Sequence, residues 1–158
     1  MTRSTRPDRT SVDRILDHNK YLVIGSVDEA GRPWTTPVFF APRDADTLVW
    51  LSSPDSRHSS NIEQQPQVAL TVFDSRVEVG HAEAAYFDAQ AERAGADAIH
   101  AALAALNARL PLDRRVGIED IAPTGHLAVY QAHVQHRYVL VRGGNEHFRN
   151  VLDMTVEV

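Results

Sequence analysis

Between Tyr21 and Leu51 three β-rich runs are divided by only two short turns, which commits this part of the chain to an antiparallel meander. The runs cover residues 21–27, 34–41 and 48–51; Asp28-Glu29-Ala30-Gly31 supplies the first turn and Asp44-Ala45-Asp46 the second. Ahead of them Thr10-Ser11 precedes Val12, Ile15 and Leu16, a cap followed by apolar residues at helical spacing. That pattern predicts a first helix ending near Asn19, and residues 1–10 read as a disordered arm.

Beyond the meander, Ser53-Pro54-Asp55-Ser56 is a strong helix start, and a short helix is expected over 56–65, ended by Pro66. Strands follow over 68–73 and 84–91. Over 96–110 the period changes: Ile99, Leu103, Leu106 and Leu110 make one helical stripe, closed by Pro111. The segment 127–141 is a long strand, with Ala128, Tyr130, Ala132, Val134, His136, Tyr138 and Leu140 on one face. Gln131, His133, Gln135 and Arg137 share the other, and a last strand is expected at 154–158. Short antiparallel strands with helices inserted predict an α+β domain built on a barrel, one unit over 11–158.

Composition excludes several chemistries. With no cysteine there are no disulfides, thiolate metal sites or cysteine nucleophiles. A formal charge of −5 argues against nucleic acid as a partner. No apolar run reaches the ~18 residues of a membrane span, so no membrane role and a cytoplasmic location are expected. Lys20 is the only lysine among the 16 basic residues, so anion recognition falls to arginine.

The densest chemistry lies where the third strand passes into the second helix, through Ser52, Ser53, Asp55, Ser56, Arg57, His58, Ser59 and Asn61. A helix start offers free backbone N–H groups and a partial positive charge. Ser56 and Ser59 add hydroxyls, Arg57 a guanidinium fork, and His58 a further donor that becomes cationic if a phosphate raises its pKa. Together these suit a phosphate monoester. The plainer alternative is an ordinary cap by Asp55 or Ser53 with Arg57 in water.

Gly31-Arg32-Pro33-Trp34-Thr35-Thr36-Pro37-Val38-Phe39-Phe40, Val49-Trp50-Leu51-Ser52, Asp55-Ser56-Arg57-His58, Asn61-Ile62, Pro66 and Val68, in that order of elements, resemble the pyridoxamine 5′-phosphate oxidase-related split-barrel flavoproteins. The resemblance is good over 13–73, looser to Tyr86 and faint again over 130–140. It implies a homodimer holding a flavin at its interface, with FMN as the cofactor and a deazaflavin or, in a few relatives, haem as alternatives. The ring would run along the second strand at Thr36, Pro37, Val38 and Phe39; Leu51, Ser52 and Asn61 would add contacts. The phosphate would meet Ser56, Arg57 and His58. His58 stands where lysine is usual, and the C-terminal arginine–histidine element for pyridoxine phosphate is missing, so pyridoxamine phosphate oxidation itself is not implied.

Trp34 and Trp50 flank the implied ring site, and His133 with Arg137 could line a substrate cavity from their common strand face; packing and solvation are the plainer readings. His133 and His136 are expected to face opposite ways on a strand and so not to share a metal. Two functions from different classes fit: an oxidoreductase moving a hydride between the flavin and a small organic molecule, or a non-catalytic protein that stores or senses a flavin or haem.

Overall fold

The computed structural model describes residues 6–158. Its elements, in order, are α1 (Arg9–His18), β1 (Tyr21–Val27), β2 (Pro33–Asp44), β3 (Thr47–Ser52), α2 (Arg57–Gln64), β4 (Gln67–Phe73), β5 (Ala84–Arg93), α3 (Ala96–Ala108), β6 (Ala128–Val141) and β7 (Met154–Glu157). The strands form one antiparallel sheet in the order β3-β2-β1-β4-β5-β6-β7, and a further pairing of β3 with β6 closes the first six into a barrel. Closure works because β6 is long. Its first half pairs with β3 on one edge, its last residues pair with β7 on that same edge, and β5 runs along the other. This is the barrel-based α+β fold that the meander and its inserted helices predict, and the split barrel that the family resemblance implies.

Inside the barrel stand Leu22, Ile24, Phe40, Trp50, Leu70, Val72, Phe87 and Tyr130, all buried. Trp50 and Tyr130 are paired across β3 and β6 and stack at 6.0 Å, and the alanines at 85, 89, 91, 128 and 132 make room for them. Helix α1 packs Val12, Ile15 and Leu16 against one end of this core, and α2 packs Ile62 against the other. Helix α3 covers part of the outer surface, setting Ala102, Leu103 and Leu106 against Ala41, Val49 and Val129. Among the described residues no helix is long and apolar enough to cross a membrane.

Several local readings need correction. Helix α1 starts earlier than expected: its cap is Asp8, whose carboxylate accepts from the Ser11 N–H at 3.2 Å while the Ser11 hydroxyl accepts from the Asp8 N–H. The arm therefore does not extend to residue 10, and residues 1–5 of it lie outside the described residues. Helix α3 stops at Ala108, leaving Leu110 beyond it, since a residue before proline is pushed out of the helical region. In α3's place as a brace, Arg109 reaches back to donate to the carbonyls of Phe40 at 2.9 Å, Leu16 at 3.0 Å and Asn19. It thereby ties the end of α1 to β2.

The most consequential correction is in β6. Asp88 pairs with His136 but Ala89 pairs with Val134, so Gln135 is an extra residue and the inward face switches there. Up to Val134 the inward residues are those expected. After the bulge Arg137 and Val139 take the inner side, while His136 and Tyr138 turn out. His133 and Arg137 therefore do not share a face. His133 and His136 do, each beside its own carboxylate, Glu92 and Glu157.

Candidate phosphate site at the start of α2

Strand β3 ends at Ser52, inward-facing and only 8% exposed, and the chain then turns through Ser53, Pro54 and Asp55 into α2. Ser56 is the cap, not Asp55 or Ser53. Its hydroxyl oxygen lies 3.4 Å from the Ser59 N–H, and the Ser56 N–H closes the turn on the Ser53 carbonyl. Asp55 is exposed, which keeps its carboxylate in water. As the first residues of the helix, Arg57 and His58 carry backbone N–H groups with no intrahelical acceptor.

His58 turns inward, 8% exposed, and its Nε2 sits 2.7 Å from Ser52 Oγ and 3.3 Å from Ser56 Oγ. The Ser56 hydroxyl already donates to Ser59 Oγ, which donates on to the Ser53 carbonyl. For Ser56 to meet Nε2 as well, Nε2 must carry the hydrogen, which assigns the tautomer from the network. With that tautomer the Ser52 oxygen accepts from the ring. Burial holds the imidazole below its ordinary pKa. His58 thus lies against two serines, and burial alone works against its cationic form, so a cationic role would need an anion beside the ring to raise its pKa.

Arg57, by contrast, points away from the core. Its guanidinium carbon lies 4.4 Å from the centre of the Trp34 ring, and it makes no ion pair among the described residues. It borders an open groove of about 500 Å³ between α2 and the β1–β2 turn, where Asp28 and Arg32 form the opposite wall. That turn is held by Asp28, which accepts from Arg32, and by Gly31 at φ 75°. A second hollow of about 310 Å³ lies beside Trp34, lined by Gly25, Thr35 and Ala69. Gly25 pairs with both Thr35 and Ala69, so no large side chain stands there.

The remaining implied residues are spread over three environments. Asn61 is buried and donates to Ser26 Oγ at 3.0 Å, tying α2 to β1. Thr36 is half-buried and Pro37 exposed, whereas Val38 points into the barrel. Phe39 and Leu51 lie partly under α3. Trp50 lies wholly inside the barrel and lines no surface pocket, and His133 and Arg137 sit well along β6 on opposite faces. The structure thus brings Ser52, Ser56, Arg57 and His58 together with Trp34 and leaves Trp50, His133 and Arg137 apart from them. Arg32 and Asp28, which face Arg57 across the groove and pair with each other, were not singled out in the sequence; their spacing across a glycine turn was the available signal. Among the described residues no cluster of histidine and acidic side chains is arranged to hold a metal.

Known structures share this architecture. A candidate 5-nitroimidazole antibiotic resistance protein from Bacteroides thetaiotaomicron superposes with a TM-score of 0.70 at 17% identity, over 84% of this chain and 82% of that one. The heme storage protein HutZ from Vibrio cholerae gives 0.67 at 20% identity, over 82% and 92%. A heme binding protein from Mycobacterium smegmatis gives 0.69 at 16% identity; it covers 97% of this chain, which spans only 59% of that protein. At such identities the likeness shows the fold. No curated protein matches in sequence. Residues 10–126, which hold the barrel's first five strands and the whole Ser52–Asn61 cluster, match the family model described as pyridoxamine 5′-phosphate oxidase, and the chain belongs to that family.

Proposed function

We propose that the protein binds FMN with its phosphate at the start of α2 and serves as an oxidoreductase for a small organic substrate. The density of unlike donors in one turn of chain carries this reading: the backbone N–H groups of Arg57 and His58, the Ser52 hydroxyl on its inner side and the Arg57 guanidinium on its outer side. His58 keeps Ser52 aligned, and Arg57 supplies the charge. When bound, the flavin supplies the hydride chemistry, so the protein needs no acid–base pair of its own. The hollow beside Trp34, lacking bulky side chains at Gly25 and Ala69, suits a flat ring.

The reading includes a twofold partner. Tyr21, Pro37 and Phe73 stand exposed on the outward faces of β1, β2 and β4, a surface that α3 does not reach. A second copy of the chain would bury it, with the flavin shared. A second reading, haem binding or storage, is favoured by the likeness in fold to the Vibrio heme storage protein and the Mycobacterium heme binding protein.

Absorbance and mass spectrometry of what copurifies separate these readings. FMN or a deazaflavin, lost on Arg57→Ala, supports the proposal, whereas a Soret band with no flavin refutes it. Light scattering of the loaded protein should give twice 17.5 kDa, and a Phe73→Glu/Tyr21→Glu variant should halve it.

A further inference from the structure

A single row of residues crosses the outer face of the sheet: Thr35, Gly25, Ala69 and Asp88 are successive register partners on β2, β1, β4 and β5. The row spans three strand spacings, about 14 Å. Its small central residues make it a trough, and all four line the hollow of about 310 Å³ beside Trp34. Nothing within the chain asks for glycine at position 25. β1 pairs with β2 without a bulge from Tyr21 to Val27, φ at Gly25 is not positive, and a Cβ there would stand in ordinary contact, 3.4 Å from the Ala69 carbonyl oxygen. Glycine inside a strand paired on both edges weakens it; with no bulge to account for it, the remaining reason is the close approach of a body from outside the sheet.

Among the described residues Asp88 is the one charged group lining this hollow. Its Oδ2 accepts from the Tyr138 hydroxyl at 3.2 Å, which anchors the carboxylate to β6. Its Oδ1 has no partner among the described residues, because His136, directly opposite on β6, turns to Glu157 at 2.7 Å instead. At the far end of the trough Trp34 carries Arg57. A flat body lying in the trough and tethered to a phosphate at Arg57 therefore meets one oriented acceptor at its outer edge. Of the two ends of a flavin ring, the pyrimidine end offers an N–H, at N3. The methyl-bearing end would strip water from the carboxylate and return no hydrogen bond.

We propose that Asp88 sets the orientation of the ring: the flavin lies over Gly25 and Ala69 with its pyrimidine end at β5, and its N3–H donates to the carboxylate that Tyr138 holds. This rests on the reading of the protein as one that binds FMN, and it adds Asp88 as a specificity-determining residue. Fluorescence titration of the full chain with FMN and with N3-methyl-FMN, which has no hydrogen at N3, tests it. The parent is expected to bind FMN about tenfold or more tightly than the methylated probe. Asp88→Ala, at an exposed position and so expected to fold, should bind the two alike. Asp88→Asn keeps an acceptor but loses the charge, so the midpoint potential of bound FMN should rise. Gly25→Ala should weaken both flavins about fivefold or more while thermal stability holds or improves. Equal binding of the two probes by the parent, a preference that survives in Asp88→Ala, or a Gly25→Ala variant that binds like the parent each overturns the proposal. So does a Gly25→Ala variant in which only the oligomer mass changes, since the close approach then belongs to a partner's backbone. In each of these cases FMN binding that Arg57→Ala weakens leaves the phosphate site standing, whereas a parent that binds no FMN refutes both.

Discussion

Arg57→Ala tests the phosphate site most directly, and the structure sets its size. A charge-assisted hydrogen bond to a phosphate contributes about 1.5–3 kcal/mol. Arg57 is not waiting in water, however: it rests on the Trp34 ring at 4.4 Å, a stack worth about 0.5–1 kcal/mol at an exposed position. Gripping a phosphate means surrendering that stack, so the net loss on truncation should be about 1–2 kcal/mol, roughly 5- to 30-fold in Kd. Trp34→Leu is the informative companion. If Trp34 only holds Arg57, the variant binds FMN about two- to fivefold more tightly, because nothing must be given up. If the ring also stacks on the flavin, binding weakens instead. Flavin fluorescence titrations of parent, Arg57→Ala, Trp34→Leu and the double variant measure all four corners of the cycle. Identical curves for parent and Arg57→Ala would refute the site.

Removing Arg109 should destabilise the fold by about 3 kcal/mol, since three backbone carbonyls lose a charged donor while burial of the guanidinium offsets part of each bond. Urea unfolding read through buried Trp50 checks this, and Arg109→Met keeps the packing on Phe40 while deleting the bonds. His58 is held below its ordinary pKa by burial, so the unfolded chain binds a proton that the folded one refuses. The stability it contributes is present above about pH 6.5 and is lost as pH falls toward the lowered folded value, with a slope of at most about 1.4 kcal/mol per pH unit. His58→Gln should flatten that slope; an unchanged profile would mean the ring titrates alike in the folded and unfolded chain. For the same reason FMN affinity should not fall as pH rises from about 6 to 8.5, and His58→Lys should strengthen it by restoring a cation.

The accuracy of the sequence reading tracks how local each feature is. The β1–β2 hairpin is encoded by Asp28 and Gly31 within four residues, and α2 by a serine-rich turn before it, so both were legible. So was the cluster at Ser52–His58, because a helix start after a strand is a property of contiguous chain. What failed was direction. His58 reads only as one more donor toward an anion, and it takes the end of β3 to place Ser52 2.7 Å from its ring. Trp50 reads as a pocket wall until closure of β3 on β6 stacks it against Tyr130.

The alternation along β6 shows the division most clearly. Its strand character, length and apolar bias come from Ala128 to Val141 themselves, but which side each residue faces after Gln135 depends on the register with β5, set more than forty positions away. The sequence by itself determined the elements, their order and the one turn where donors for an anion accumulate, since these follow from backbone preferences and spacing over a few residues. Tertiary structure alone decided that Arg137 faces inward, that His133 does not, and that Arg57 rests on Trp34. A bulge or a barrel closure fixes side-chain direction through pairing between distant strands, and no periodicity within one strand carries that information.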